Sequence, residues 1–334
     1  MRKPRILGNR ETNYYHVMSR VVNRDHVMGA EEKEFFMLTM RKLEAFSGLR
    51  ILTYCIMSNH FHILVEVPNI TDLDDDALLD RLRTFYSKRQ FSEIEQEYTR
   101  AFQHAQDTGN RDWLDEFRLQ YVSRMGDLSV FLKELKERFS KWYNRKHGRR
   151  GTLWEERFKS VLVENSDHAL TTMAAYIDLN PVRAGLVGDP KEYRHCGYAE
   201  AVGGGEAARD GITRLMQSQG QEGNWRQISA KYRTYLFSTG YETDAKAGFT
   251  EQQAKEVLEQ GGELPLRALI RCHVRYFNDG VALGSRLFIE EIFENNRPFF
   301  GERRKNGARK MRGGDWEGLY SLRNLSPGAI AAPG

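Results

Sequence analysis

The 334-residue chain is 40% hydrophobic and 11% aromatic, enough apolar material for real cores, and its length suggests two domains. A net charge of +4 and a pI near 8.8 are too mild to name a partner, and no stretch stays apolar long enough for a membrane span. Cys55, Cys196 and Cys272 lie far apart without a CxxC pair, which excludes a disulfide framework and a cysteine zinc site.

Taken in chain order, Met1 to Asn9 carries Arg2, Lys3 and Arg5 but no apolar run, so a cytoplasmic protein is expected. Tyr14 to Val22 is rich in Val and Tyr and reads as a strand; Glu31 to Phe46 has helical apolar spacing. Arg50 to Met57 and His60 to Val67 are β-rich runs separated by Ser58 and Asn59, an antiparallel hairpin. From Pro68 to about Gly126 the pattern is helical and acidic. Ser129 to His147 is an amphipathic helix whose apolar stripe is Phe131, Leu132, Leu135, Phe139 and Trp142. Arg157 to Glu164 reads as a fourth strand, and Ser166 or Asp167 caps a helix running to Asn180, where Pro181 argues for a stop.

The expected fold is therefore α+β: β-α-β-β-α-β-α, a ferredoxin-like antiparallel sheet with a helical insertion and a mainly helical carboxyl-terminal domain. The expected boundaries are a catalytic domain over 1–200 with its insertion at about 70–126, a linker and helical connection over 201–240 opening on GGGEAARDG, and a small helical accessory domain over 241–334. Within the last, RCHVRYFNDGVALGSRLFIEEIF has the outline of a helix, a glycine turn and a helix, as in DNA-binding modules. A basic tail follows with Arg303, Arg304, Lys305, Arg309 and Lys310.

Alternation on a strand sends His60 and His62 to one face, and Phe61, Ile63 and Val65 to the other. Two imidazoles make half a metal site. Tyr176 and Asn180, four apart on a helix, share a face, and the amide oxygen of Asn180 can complete the set with Tyr176 beside it. The bland alternatives are exposed histidines, a core tyrosine and a helix cap at Asn180. Arg145, Lys146, Arg149 and Arg150, then Arg157 and Lys159, form a basic run suited to a phosphate backbone, with Arg183 next to the helix of Tyr176. Trp154 and Tyr143 are candidates for stacking on unpaired bases, or for the core.

The motifs YHVMSRVVNR, SNHFHILVEV, GTLWEERFKS and YIDLNPVRAGLV, in this order, resemble the REP-associated tyrosine transposases within the single-tyrosine HUH, IS200-like transposases. The resemblance covers Tyr14 to Val67 and Phe131 to about Tyr198. It implies that His60 and His62 are metal ligands, that Tyr176 is the nucleophile and that Asn180 is the third ligand. It further implies cleavage and rejoining of single-stranded or hairpin DNA through a 5′-phosphotyrosine, assisted by Mg²⁺ or Mn²⁺. An ordinary phenol is mostly protonated at neutral pH, so the attacking group needs such help. Two other readings keep the same basic surface: a hydrolytic metal-dependent nuclease, and a catalytically silent DNA-binding regulator. Monomer and homodimer are equally compatible with the sequence.

Overall fold

The computed structural model describes residues 6–69, 73–217, 223–240, 266, 270, 274–312 and 314–323. In chain order it contains β1 (Thr12–Arg20), α1 (Ala30–Ser47), β2 (Arg50–Ile56) and β3 (His60–Pro68). The helices α2 (Asp75–Phe85), α3 (Lys88–Thr108), α4 (Asp112–Val122) and α5 (Leu128–Lys146) come next. Then follow β4 (Lys159–Val163), α6 (Asp167–Asp178), α7 (Asn180–Arg183), α8 (Gly197–Val202), α9 (Glu206–Gln217) and α10 (Trp225–Gly240). The described chain closes with α11 (Arg275–Asp279), β5 (Ala282–Gly284), α12 (Arg286–Asn295), β6 (Arg309–Lys310) and β7 (Tyr320–Leu322). No helix among the described residues is long and apolar enough to cross a membrane.

The fold is α+β, and among the described residues the strands form one sheet in the order β2-β3-β1-β4-β5-β7-β6. Its first four strands have the ferredoxin-like order expected from the sequence. β1 and β4 are antiparallel with His16 opposite Val161, β5 joins β4 in parallel, and β7 is antiparallel to both β5 and β6. The helix, glycine turn and helix expected here are present as α11, Gly280 and α12, but a short strand, Ala282–Gly284, stands between the two helices. Three residues are too few for alternation to declare a strand. The Gly-rich stretch expected as a linker likewise turns at Gly203 to Gly205 and continues as α9. A Cβ on Gly211 would stand 2.4 Å from the Ile51 carbonyl oxygen, so this glycine lets α9 lie directly on β2.

The chain divides into two compact units. The first comprises Met1–His26, Ile51–Glu66 and Glu155–Gly334. Its core joins Leu52 and Leu64 from the sheet to Met173, Tyr176 and Ile177 of α6, and to Ile212, Tyr232 and Phe277. Asp178, fully buried, ties these parts together by accepting from the Tyr232 hydroxyl (2.5 Å), the Thr53 hydroxyl (2.7 Å) and the Tyr198 amide (3.3 Å). Burial outweighs these donors and pushes its carboxyl up to about 6.

The second unit comprises Val27–Arg50 and Val67–Trp154. The expected stripe of α5 is inward: Phe131, Leu132, Leu135 and Phe139 are buried, and Trp142 stacks on Phe35 of α1. Helices α2, α3 and α4 share a core of their own around Leu78, Leu82, Ile94 and Phe117. Arg124 pins it, pairing with Glu134 through two nitrogens at 2.8 and 2.9 Å and lying over the Phe46 ring.

Candidate functional site

β3 carries His60 and His62 as expected, but they are unlike in environment. His60, at the mouth of the hairpin turn, is half-buried, whereas His62 is 2% exposed under the rings of His16 and Tyr176, and Leu64 on the same face is also core. Both faces of this strand are thus covered, where the sequence suggested one covered face. α6 is capped by Ser166, whose hydroxyl accepts from the Ala169 amide, and stops at Asp178 instead of running to Asn180. Pro181 has no N–H to continue the ladder, so Asn180 opens the separate turn α7. Asn180 is buried, with 8% of its surface exposed.

Tyr176 meets His62 edge to face, their ring centroids 6.1 Å apart, and meets His16 of β1 at 6.3 Å. The Phe277 ring lies 4.8 Å from that of Tyr176, and the Arg183 guanidinium stands 4.1 Å over its face. Arg183 also donates to the carbonyls of Tyr176 and Ile270, so it braces the tyrosine as well as adding charge. Asn278 of α11 donates from Nδ2 to the phenolic oxygen at 2.7 Å; its own Oδ1 is buried with no partner among the described residues. Tyr176 itself is only 1% exposed.

The histidines are held by carbonyls. A carbonyl only accepts, so the 2.9 Å contact from His16 Nδ1 to the Phe277 oxygen requires the proton on Nδ1. In the neutral ring Nε2 then carries the lone pair, and across 2.8 Å it accepts from His62 Nδ1. Burial keeps both rings neutral: it depresses His16 to about 4 and His62 well below the usual range, with neighbouring positive charge, including Arg183, adding to both. At His60, Asn59 donates from Nδ2 to the Arg24 carbonyl (3.0 Å), which turns its Oδ1 to accept from His60 Nδ1 (2.6 Å). Both candidate ligand rings therefore keep the lone pair on Nε2, the nitrogen a cation would take.

Among the described residues no group of three or more His, Cys, Asp and Glu is set to hold a metal ion. Imidazole nitrogens that carry lone pairs, and amide oxygens, are donors of a kind that suits a divalent cation together with water or phosphate oxygens. The charge around His62 favours an anion too, since Arg20 and Arg183 both act on it electrostatically.

Residues 9–123 match the family model described as Transposase IS200 like. The resemblance to IS200-like transposases holds. The matched stretch includes His16, Asn59, His60 and His62, and ends before Tyr176 and Asn180. A solved structure entitled "Structure of the REP associates tyrosine transposase bound to a REP hairpin" is similar at 14% identity and a TM-score of 0.37, over 61% of this chain and 87% of that one. No curated protein matches the chain.

The remaining expected contacts divide by environment. Arg145, Arg150, Arg157 and Lys159 are exposed. Lys146 is engaged by Glu31 and Glu32, each at 2.7 Å, and Arg149 is half-buried. Tyr143 and Trp154 are buried in the second unit, the Trp154 indole N–H donating to the Ser140 hydroxyl at 2.9 Å, so both belong to the core. In the carboxyl-terminal run, Arg303, Lys305, Arg309 and Lys310 are exposed, while Arg304 lies against the Phe293 and Phe300 rings and donates to main-chain carbonyls. Cys272 lies outside the described residues; Cys55 and Cys196 are buried thiols outside any disulfide among the described residues. Sequence reasoning singled out neither His16, Asn59 nor Asn278. His16 sits inside YHVMSR at the same strand parity as Tyr14, and a weighing of polar residues on the covered face would have found it.

Proposed function

We propose that this chain is a DNA strand transferase that cuts and rejoins single-stranded or hairpin DNA through a covalent bond to Tyr176. The observation that carries the reading is the edge-to-face approach of Tyr176 to His62, a ring that keeps its Nε2 lone pair and comes from a stretch matching IS200-like transposases.

His60 and His62 would hold a divalent cation, Mg²⁺ or Mn²⁺, with Asn180 adding an amide oxygen. When bound, the cation polarises the scissile phosphate and offsets developing negative charge. The Tyr176 oxygen bonds to phosphorus as the bond from phosphorus to the 3′ oxygen breaks; the phenol loses its proton and the departing 3′ oxygen gains one. Asn278, by donating to the phenolic oxygen, favours the charge that builds there. The phosphotyrosine retains the energy of the diester, so a second 3′-hydroxyl reverses the attack and joins strands. Because Tyr176 is 1% exposed, reaction requires the side chains over it to give way to the substrate. Arg183 lies over its ring and Arg157 and Lys159 are exposed in the same unit, and these contact the backbone phosphates; Arg145, Lys146, Arg149 and Arg150, in the second unit, are further phosphate contacts of this reading.

The test is covalent capture. Full-length protein, labelled single-stranded or hairpin DNA and Mn²⁺ are expected to give a denaturation-resistant adduct that Tyr176→Phe abolishes without loss of fold. Cutting without adduct makes the chain a hydrolytic nuclease, and binding without cutting makes it a regulator.

A further inference from the structure

We propose that His16 and Asn59 are positioning residues that lock His62 and His60 in the Nδ1–H tautomer, through two chains of hydrogen bonds each ending at a main-chain carbonyl, so that both Nε2 lone pairs face a divalent cation. The inference rests on the metal role of His60 and His62 proposed above.

The two chains share a logic. An imidazole with one proton has two equivalent places to put it, and only the Nδ1–H form leaves Nε2 able to ligate. A backbone carbonyl breaks that symmetry because it can never donate. In the first chain the Phe277 carbonyl accepts from His16 Nδ1, and His16 Nε2 accepts from His62 Nδ1. In the second the Arg24 carbonyl accepts from Asn59 Nδ2, and Asn59 Oδ1 accepts from His60 Nδ1. Arg24 has φ +60 and Asn23 φ +57, a left-handed pair that turns the chain back over the hairpin, where the Val21 amide donates to the Asn59 carbonyl at 2.9 Å. Backbone conformation that L residues seldom adopt is thus spent on placing the loop whose Arg24 carbonyl fixes the Asn59 amide.

The chains differ in exposure, and this sets their relative weight. His16 and His62 are 1% and 2% exposed, so water cannot replace His16 as the acceptor for His62 Nδ1–H. His60 and Asn59 are half-buried, and water can take the place of the Asn59 oxygen. Phe277 also brings α11 into the metal half of the site, although it lies 261 positions from His16.

The experiment measures Mn²⁺ affinity of the full-length protein by calorimetry, with two-bond ¹H–¹⁵N correlation spectra of histidine-labelled protein to read tautomers without metal. Wild-type His60 and His62, assigned by loss of their signals in the alanine variants, are expected to show the Nδ1–H pattern. His16→Phe, which keeps a ring but removes both hydrogen bonds, should weaken Mn²⁺ binding about 10- to 100-fold, the scale of a lost outer-shell partner. His16→Gln, which retains a donor for the carbonyl and an acceptor for His62, should recover most of that loss. Asn59→Ala should cost only a few-fold. An Nε2–H pattern on wild-type His62 overturns the inference even if His16→Phe does not fold. Wild-type affinity in a folded His16→Phe overturns it as well, while His60→Ala and His62→Ala losing Mn²⁺ would leave the metal reading intact. Unchanged Mn²⁺ binding in those two alanine variants instead removes the metal reading, and the inference with it.

Discussion

Asn278 and Tyr176, 102 positions apart, meet through a 2.7 Å hydrogen bond from the amide nitrogen to the phenolic oxygen. The preceding residue, Phe277, supplies both a ring edge against Tyr176 and the carbonyl that accepts from His16. A five-residue helix therefore touches both the proposed nucleophile and His16, the ring that accepts from His62.

Replacing Asn278 with Leu keeps the volume and removes the donor. A hydrogen bond that strengthens as charge develops on the phenolic oxygen contributes roughly 1–3 kcal/mol, so the rate of adduct formation on single-stranded DNA should fall about tenfold or more while Mn²⁺ affinity is unchanged. Single-turnover kinetics read this directly. A faster rate would show that Asn278 restrains the tyrosine instead of activating it.

The first four strands, the helices between them and the HxH pair were legible because each has enough residues for a period to emerge, and the motifs sit at their ends. What lay beyond sequence reading was long-range. Ala282–Gly284 is three residues with a glycine at its end, and only its pairing with Leu162 and Val163 makes it a strand. His16 reads as one polar residue in an apolar strand; its meaning comes from His62 and the Phe277 carbonyl, at separations of 46 and 261. The helix boundary at Asp178, two residues short of Asn180, follows from Pro181 removing a donor, a local rule that shifts ends by a residue or two.

Asp178 should give the stability curve a distinct slope. Its folded carboxyl titrates at about 6 against an ordinary value of 3.8. Between these values the folded chain holds a proton that the unfolded chain has released, so this group's contribution to stability falls as pH rises through the window and is constant above it. Buried His16, held at about 4, works oppositely, since the unfolded chain takes up a proton that the folded chain refuses. The useful quantity is therefore the difference between Asp178→Asn and wild type. Urea unfolding at pH 4 and pH 7 should show the variant gaining on wild type by on the order of 2–3 kcal/mol. A difference independent of pH would contradict the account.

In the second unit, Arg124→Met should destabilise the fold by roughly 2–3 kcal/mol. Methionine preserves contact with Phe46 but leaves Glu134, whose side chain is 18% exposed, without its bidentate partner. Arg124→Lys should recover only part, because one ammonium cannot reproduce two parallel bonds and the bond to the Tyr86 hydroxyl. Thermal unfolding of the three proteins ranks them; equal stability of Met and Lys variants would mean that packing alone matters.

The basic carboxyl-terminal residues are expected to add DNA affinity without taking part in the chemistry, and the structure decides how that must be tested. Truncation after Tyr198 would delete the Tyr232 hydroxyl from Asp178, the carbonyl from His16 and the amide from Tyr176, so any loss would be uninterpretable. Arg304 is also unsuitable, since it packs on Phe293 and Phe300. Arg303, Lys305, Arg309 and Lys310 are exposed, and changing all four to Gln leaves those contacts alone. Each phosphate they neutralise releases counterions and contributes about 0.7 to the slope of log affinity against log salt for single strands. If all four meet phosphates, the slope should flatten by roughly 3, while adduct formation at saturating DNA is preserved. Identical slopes for the two proteins would free this surface from any role in holding DNA.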